Sequence, residues 1–234
     1  MTLIKINAVN VLKTSTSVVL IMIATSFMTP VLAQTDKNTT KPDSSYNGDD
    51  TFIQMIDYSR PGKYHQLLGN LAGTWNWQGS RFSGNTNPDS NKVVIRFSGT
   101  LVRKPFATGR FFIVEQTSGK LQKLQSPIQD GKMKKDNYKN ITIEGYDNVK
   151  KKFMLATINN HIGSDISFSE GNYDSVTKTI TFYSEEELVP GKKTKTQELF
   201  IILDKDHYKL EYYEEQNGEY VKNTEIDCVR SKIK

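Results

Sequence analysis

A chain of 234 residues, 36% hydrophobic and 10% aromatic, has room for one substantial globular domain and enough apolar side chains to give it a core. Its formal charge of +5 becomes 5 − 2 = +3 once residues 1–33, which hold Lys5 and Lys13 and no acidic residue, are set aside. Lysines and acids interleave along the remainder, so a solvated mixed-charge surface is expected and no nucleic-acid partner.

Lys5 and Lys13 precede an apolar stretch from Val18 to Met28, then Pro30, then Val31-Leu32-Ala33 with small residues at alternate positions. This is the pattern of a cleavable signal peptide over 1–33, with the mature chain starting at Gln34. The apolar run is shorter than the roughly 20 residues a bilayer span needs, so no integral membrane segment is expected after cleavage. Export follows, to the periplasm or the medium. Residues 34–58 open with QTDKNTTKPDSSYNGDD, too polar to offset the entropy of ordering, and read as a flexible linker. Asn38 and Asn140 head glycosylation-type triplets, a pattern common by chance.

The barrel domain is expected over 59–234. Pro61-Gly62 opens a short helical pattern in which Tyr64, Leu67, Leu68 and Leu71 recur at three- and four-residue steps, ending by Gly73. From there the period changes to two. Val93, Ile95, Phe97 and Leu101 alternate with Arg96, Ser98 and Thr100, and further β-rich runs begin near 111, 141, 153, 166, 180, 199, 208 and 220. Turn signals sit between neighbouring runs, among them Asp147-Asn148, Asp174-Ser175, Pro190-Gly191 and Asn217-Gly218. About ten antiparallel strands with no helices to cover a sheet predict an all-β fold, a single closed barrel with one short N-terminal helix closing an end. Ser118 to Asn137 reads as one long connection.

The segment Arg60-Pro61-Gly62-Lys63-Tyr64-His65 through Gly73-Thr74-Trp75 resembles the opening of the secreted-protein family catalogued as domain of unknown function 1579. Gly109-Arg110-Phe111-Phe112, Gly145-Tyr146-Asp147-Asn148, Glu170-Gly171-Asn172-Tyr173-Asp174 and Lys178 to Phe182 continue the likeness in order, over roughly 58–230. The resemblance implies a calycin, or lipocalin-like, barrel and implies no activity. Ile158 and Asn160 stand where the family pattern calls for Trp and Asp. Gly73-Thr74-Trp75 also resembles the Gly-x-Trp signature of lipocalins, which implies a structural pair between Trp75 and an arginine of the last strand, Arg230.

His65, Trp77, Arg110 and Tyr146 are the candidate ligand-binding residues: a histidine on the helix, an arginine heading an apolar strand, and two amphipathic rings able to line a pocket or plug a core. The single cysteine, Cys228, excludes an intrachain disulfide and any multi-cysteine metal site, and alternation with Ile226 marks it as a small buried hydrophobe. Only His65, His161 and His207 are present, without metal-ligand spacing, so no metal site is expected. No nucleophile elbow, phosphate loop or cofactor fingerprint occurs, and no catalytic residue or cofactor is assigned. Glu115, Glu144 and Glu170 lie on separate strands, so any acid–base pair must be assembled by the fold. The leading expectation is an exported barrel that binds a small hydrophobic or amphipathic molecule. The alternatives are a calycin-like enzyme moving a proton on a small organic substrate, a barrel filled by its own aromatic side chains, and, behind these, haem held by one histidine.

Overall fold

Strand pairing starts at Gly73, runs to Arg230, and closes on itself. The structure, a computed structural model, describes residues 50–83, 92–118, 124–127, 133–160 and 163–232, all within one unit, Gly48–Lys234. The expected signal peptide, the expected linker up to residue 49, Asn38 and His161 lie outside the described residues.

Two helices, α1 (Asp50–Tyr58) and α2 (Lys63–Gly69), precede β1 (Gly73–Phe82), β2 (Val93–Phe106) and β3 (Phe111–Ser118). A hairpin of β4 (Leu124–Pro127) and β5 (Met133–Asp136) follows, then β6 (Lys139–Asp147), β7 (Lys152–Asn159) and β8 (Ser167–Asp174). The chain ends in β9 (Thr179–Val189), β10 (Lys192–Asp204), β11 (His207–Gln216) and β12 (Glu219–Arg230). Ten strands form a closed barrel in the order β1-β12-β11-β10-β9-β8-β7-β6-β3-β2, and β4 and β5 pair separately. The fold is therefore all-β and lipocalin-like. Closure comes from β1 and β12, antiparallel from Trp75↔Arg230 to Arg81↔Thr224, and it leaves the ten strands no free edge.

The turns explain the antiparallel order. Asn217 (φ 55°) and Gly218 (φ 88°) both occupy the left-handed region, as a two-residue hairpin between right-twisted strands demands. Asp147 and Asp174 fold their own turns: each carboxylate accepts the backbone N–H two residues on, at 2.8 Å.

Two regions differ in detail from the sequence expectation. α1 is helical inside the stretch read as linker, because Phe52, Ile53 and Ile56 bring a helical spacing that the polar run before them conceals; none of its residues is buried. Its end is tied down where Asn148 Nδ2 donates to the carbonyls of Tyr58 and Arg60, at 2.7 and 2.9 Å. The long connection after β3 contains the β4–β5 hairpin.

α2 closes one end, with Leu68 and nearby Leu71 buried among the barrel's side chains. The last carbonyls of a helix lack intrahelical partners; here those of Gln66, Leu68 and Gly69 accept the N–H groups of Asn70, Leu71 and Ala72, and barrel side chains bond the carbonyls of the segment that follows. Trp75 Nε1 donates to Leu71 O at 3.0 Å, and Arg230 donates to Ala72 O at 2.6 Å and Asn70 O at 2.7 Å. Gly73 has φ +131°, and a Cβ there would stand 2.8 Å from Arg230 Nη1, so only glycine lets the chain enter β1 beneath that guanidinium. Among the described residues no helix is long and apolar enough to cross a membrane.

Candidate functional site

Strand alternation sends every second side chain inward, and the inward set encloses a cavity of about 530 Å³. Its walls are mixed, with Phe97, Leu101, Val114, Phe153, Ile180 and Phe182 among the apolar residues. Room for the cavity comes partly from small residues on the inward faces: Thr142, Thr157, Ser169, Ser184 and Thr196 all line it. The aromatic residues therefore do not fill this barrel. Gly99 serves a different purpose: a Cβ there would collide with the Thr117 carbonyl oxygen and stand 2.5 Å from the Trp77 ring.

At the α2 end the floor is charged. Arg103 Nε and Nη2 donate to the two carboxylate oxygens of Glu144 at 2.8 and 2.9 Å, and the two side chains are only 2% and 9% exposed. The guanidinium carbon lies 5.5 Å from the centre of the Phe200 ring and 5.4 Å from that of Tyr208. Burial opposes the guanidinium's charge, but Glu144 and Tyr208 more than compensate, so Arg103 holds its proton more tightly than usual. Its remaining reach goes to Leu71 O at 3.4 Å. The two charges cancel, and the pair fixes β2 against β6 across the intervening β3.

Glu198, on β10, is another carboxyl that lines the cavity. Protein surrounds it, and the solvent contact it keeps is through the cavity it lines. Burial first, and the nearby Glu144 carboxylate second, push its pKa up to about 8 against the opposing pull of Arg103. At neutral pH it is mostly the uncharged acid. Burial also raises the phenols of Tyr138 and Tyr212 beside it, and Glu198 itself adds to both. The Cys228 thiol is pushed up to about 12, chiefly by burial, and so is no nucleophile at neutral pH.

Two buried polar atoms of cavity-lining residues have no hydrogen-bond partner among the described residues, Trp77 Nε1 and Asn140 Oδ1, while the Tyr208 hydroxyl lies beside Arg103 and the Cys228 thiol. Buried polar groups are nearly always paired, and an orphan costs about 1–3 kcal/mol. One donor and one acceptor thus line the interior without partners. Asn140, 8% exposed and inside the barrel, is closed to glycosylation in the folded state.

Of the candidates read from sequence, Trp77 lines the cavity. His65, Arg110 and Tyr146 come together elsewhere, on the helix side of the floor. His65 is buried with its Nδ1 accepting the Gly62 N–H at 3.0 Å, its ring meets Tyr146 edge-on at 5.9 Å, and Arg110 is close enough to act on its charge. Burial chiefly, and Arg110 in part, lower the His65 pKa and keep it neutral. Tyr146 packs on Tyr64 and Phe153 at 4.5 and 4.9 Å, while Arg110 Nε donates to Ala107 O at 3.4 Å. These contacts hold α2 and the β2–β3 turn in place. Arg230 lies with its guanidinium carbon 4.3 Å from the Trp75 ring centre, and Trp75 is wholly buried. Ile158 is exposed, and Asn160 accepts the Lys139 N–H and donates to Asn137 O, joining β7 to the start of β6.

Arg103 and Glu198 were not singled out by the sequence reading, although a signal was there. Each is a charged residue at an inward position of an otherwise apolar alternation, Arg103 after Phe97 and Leu101, Glu198 before Phe200 and Ile202. The sequence marks Glu144 as a candidate for an acid–base pair, and its partner in the fold is an arginine. His207 meets Asp227 at 2.7 Å, and neither it nor His65 lines the cavity. Among the described residues no group of three or more His, Cys, Asp or Glu is placed to hold a metal ion.

The model of a family described as "Protein of unknown function (DUF1579)" matches residues 60–230. No curated protein matches the chain.

Proposed function

The chain belongs to the DUF1579 family of proteins of unknown function, and from that premise we propose that it is an exported binding protein whose barrel takes up one small amphipathic molecule. The observation that carries this reading is the interior itself: a cavity of about 530 Å³ with partly apolar walls, a charged floor and unpartnered polar atoms. Small-molecule sites are typically 300–1,000 Å³, mostly apolar, with a few convergent polar groups. An apolar body would lie against Phe97, Leu101 and Phe182, and a polar group would reach Glu198, Asn140 or Tyr208. Export rests on the leader pattern of residues 1–33, and the mature protein beginning at Gln34 would work in the periplasm or the medium.

A titration tests this directly. 1-Decanol should quench or shift the fluorescence of the buried Trp77 saturably, with one site per chain. Ser169 lines the cavity with a small side chain, so Ser169→Trp should fill the space and remove binding while leaving cooperative unfolding intact. Equal binding by the filled variant would contradict an interior site.

A second reading, proton transfer on a bound substrate, draws on Glu198 alone, a carboxyl whose pKa of about 8 suits an acid–base group near neutrality. It predicts turnover that fails in Glu198→Gln while binding of the substrate persists.

A further inference from the structure

Lysine and arginine outnumber aspartate and glutamate in the chain, 31 to 26. Inside the cavity the balance reverses. Its described lining holds four acids, Glu144, Asp165, Glu186 and Glu198, against two bases, Arg81 and Arg103. Arg103 is already spent on Glu144. Burial chiefly, and the nearby Asp165 second, raise the pKa of Glu186. Glu198 is left as an inward carboxyl with no cation of its own, beside the phenols of Tyr138 and Tyr212.

A second observation points the same way. Asn140 Oδ1 is an acceptor, buried and unpartnered, on a residue that lines the same cavity. Tyr208, fully buried, lines the same cavity beside Arg103 and Cys228. An ammonium group carries three donors and one positive charge, the complement of a carboxylate, an amide oxygen and phenolic oxygens. A ligand carboxylate would instead meet Glu144 and Glu198 and find the Arg103 fork taken.

Deepening the binding reading above, and resting on it, we propose that the barrel selects organic cations, binding an amphipathic amine with its ammonium at the Glu198 carboxylate and its apolar tail along the Phe97 and Phe182 side of the cavity. Binding then carries a proton signature. The groups acting on Glu198 are Glu144 from β6 and Arg103 from β2, and Glu198 in turn raises the neighbouring Tyr138 and Tyr212 phenols and the Cys228 thiol of β12. Burial and Glu144 raise the pKa of free Glu198 to about 8, so it carries a proton at pH 7 that pairing with an ammonium should expel. At pH 9 the carboxyl is already ionised and release should nearly vanish.

The experiment is isothermal titration of the mature protein with three chains of equal length, decylamine, 1-decanol and decanoate, at pH 7 and pH 9 in buffers of different ionisation enthalpy. Decylamine should bind at least about tenfold more tightly than 1-decanol at pH 7, the scale of one charge-assisted hydrogen bond, and should release a proton. In Glu198→Gln the ratio of the two affinities should fall to near one, whereas Glu185→Gln, on an exposed ion pair with Lys193, should keep it. Equal binding of amine and alcohol, tightest binding of decanoate, or a preference surviving in Glu198→Gln overturns the cation inference and leaves a binding barrel. If none of the three binds, the binding reading itself fails. Should Glu198→Gln not fold, the selectivity of the unaltered protein decides: decylamine binding no more tightly than 1-decanol, or less tightly than decanoate, overturns the assignment.

Discussion

Replacing Arg103 with methionine keeps an apolar stem against Phe200 and Tyr208 but removes the only cation that Glu144 touches among the described residues. Glu144 is buried, so little of its charge can turn to water. Breaking a buried pair from one side costs about 3–5 kcal/mol, because the surviving charge is left uncompensated. Against a typical total of about 5–15 kcal/mol, that loss is large enough to read in any unfolding curve. Leu71 O adds little, since it keeps its 3.0 Å bond from Trp75. The double variant Arg103→Met, Glu144→Leu removes both desolvation penalties and should recover to within about 1–2 kcal/mol of the unaltered protein. Urea unfolding followed by the fluorescence of buried Trp75 and Trp77 measures all three. The reasoning fails if Arg103→Met loses less than about 1 kcal/mol, or if the double variant is no more stable than the single one.

Other expectations follow from the same geometry. Glu198 has a folded pKa raised above its unfolded value, so the folded state prefers its proton. Its contribution to stability should fall as pH rises from about 4.5 to about 8, by up to about 1.4 kcal/mol per pH unit, then level off; Glu198→Gln should remove that slope from a urea series. Arg230→Ala gives up the Trp75 stacking contact and the bonds to Ala72 O, Asn70 O and Lys205 O. It should cost about 2 kcal/mol and speed hydrogen exchange in α2 before exchange in the strands. Gly99→Ala should collide with the Thr117 carbonyl and Trp77 and lower the thermal midpoint by about 5 °C or more, seen by circular dichroism. Cys228, buried with its thiol pKa pushed up to about 12, should resist a thiol reagent at pH 8 and react at once in urea.

The barrel was legible because each strand carries its own record of inside and outside. On β2 the apolar parity of Ile95, Phe97 and Leu101 is the face that lines the cavity, and Asn217-Gly218 marks a hairpin by the only backbone those residues favour. The interior chemistry was harder to see. Arg103 and Glu144 are 41 positions apart and meet only after β2, β3 and β6 are laid side by side. Trp77, alone of the four ligand-binding candidates, lines the cavity. Tyr146 keeps the inward parity of Glu144 but lies at the end of β6, against Tyr64 of α2. Alternation tells which way a side chain faces and says nothing of its depth along the barrel axis, and depth separates the cavity from the helix-plugged floor.

Native mass spectrometry of the mature protein, purified without denaturation and then offered 1-decanol and decylamine, tests the central claim most directly. A binding barrel should appear with one added mass per chain, lost on denaturation and absent from the cavity-filled Ser169→Trp variant. A bare chain that takes up neither probe, or takes up several copies that Ser169→Trp does not reduce, would contradict it.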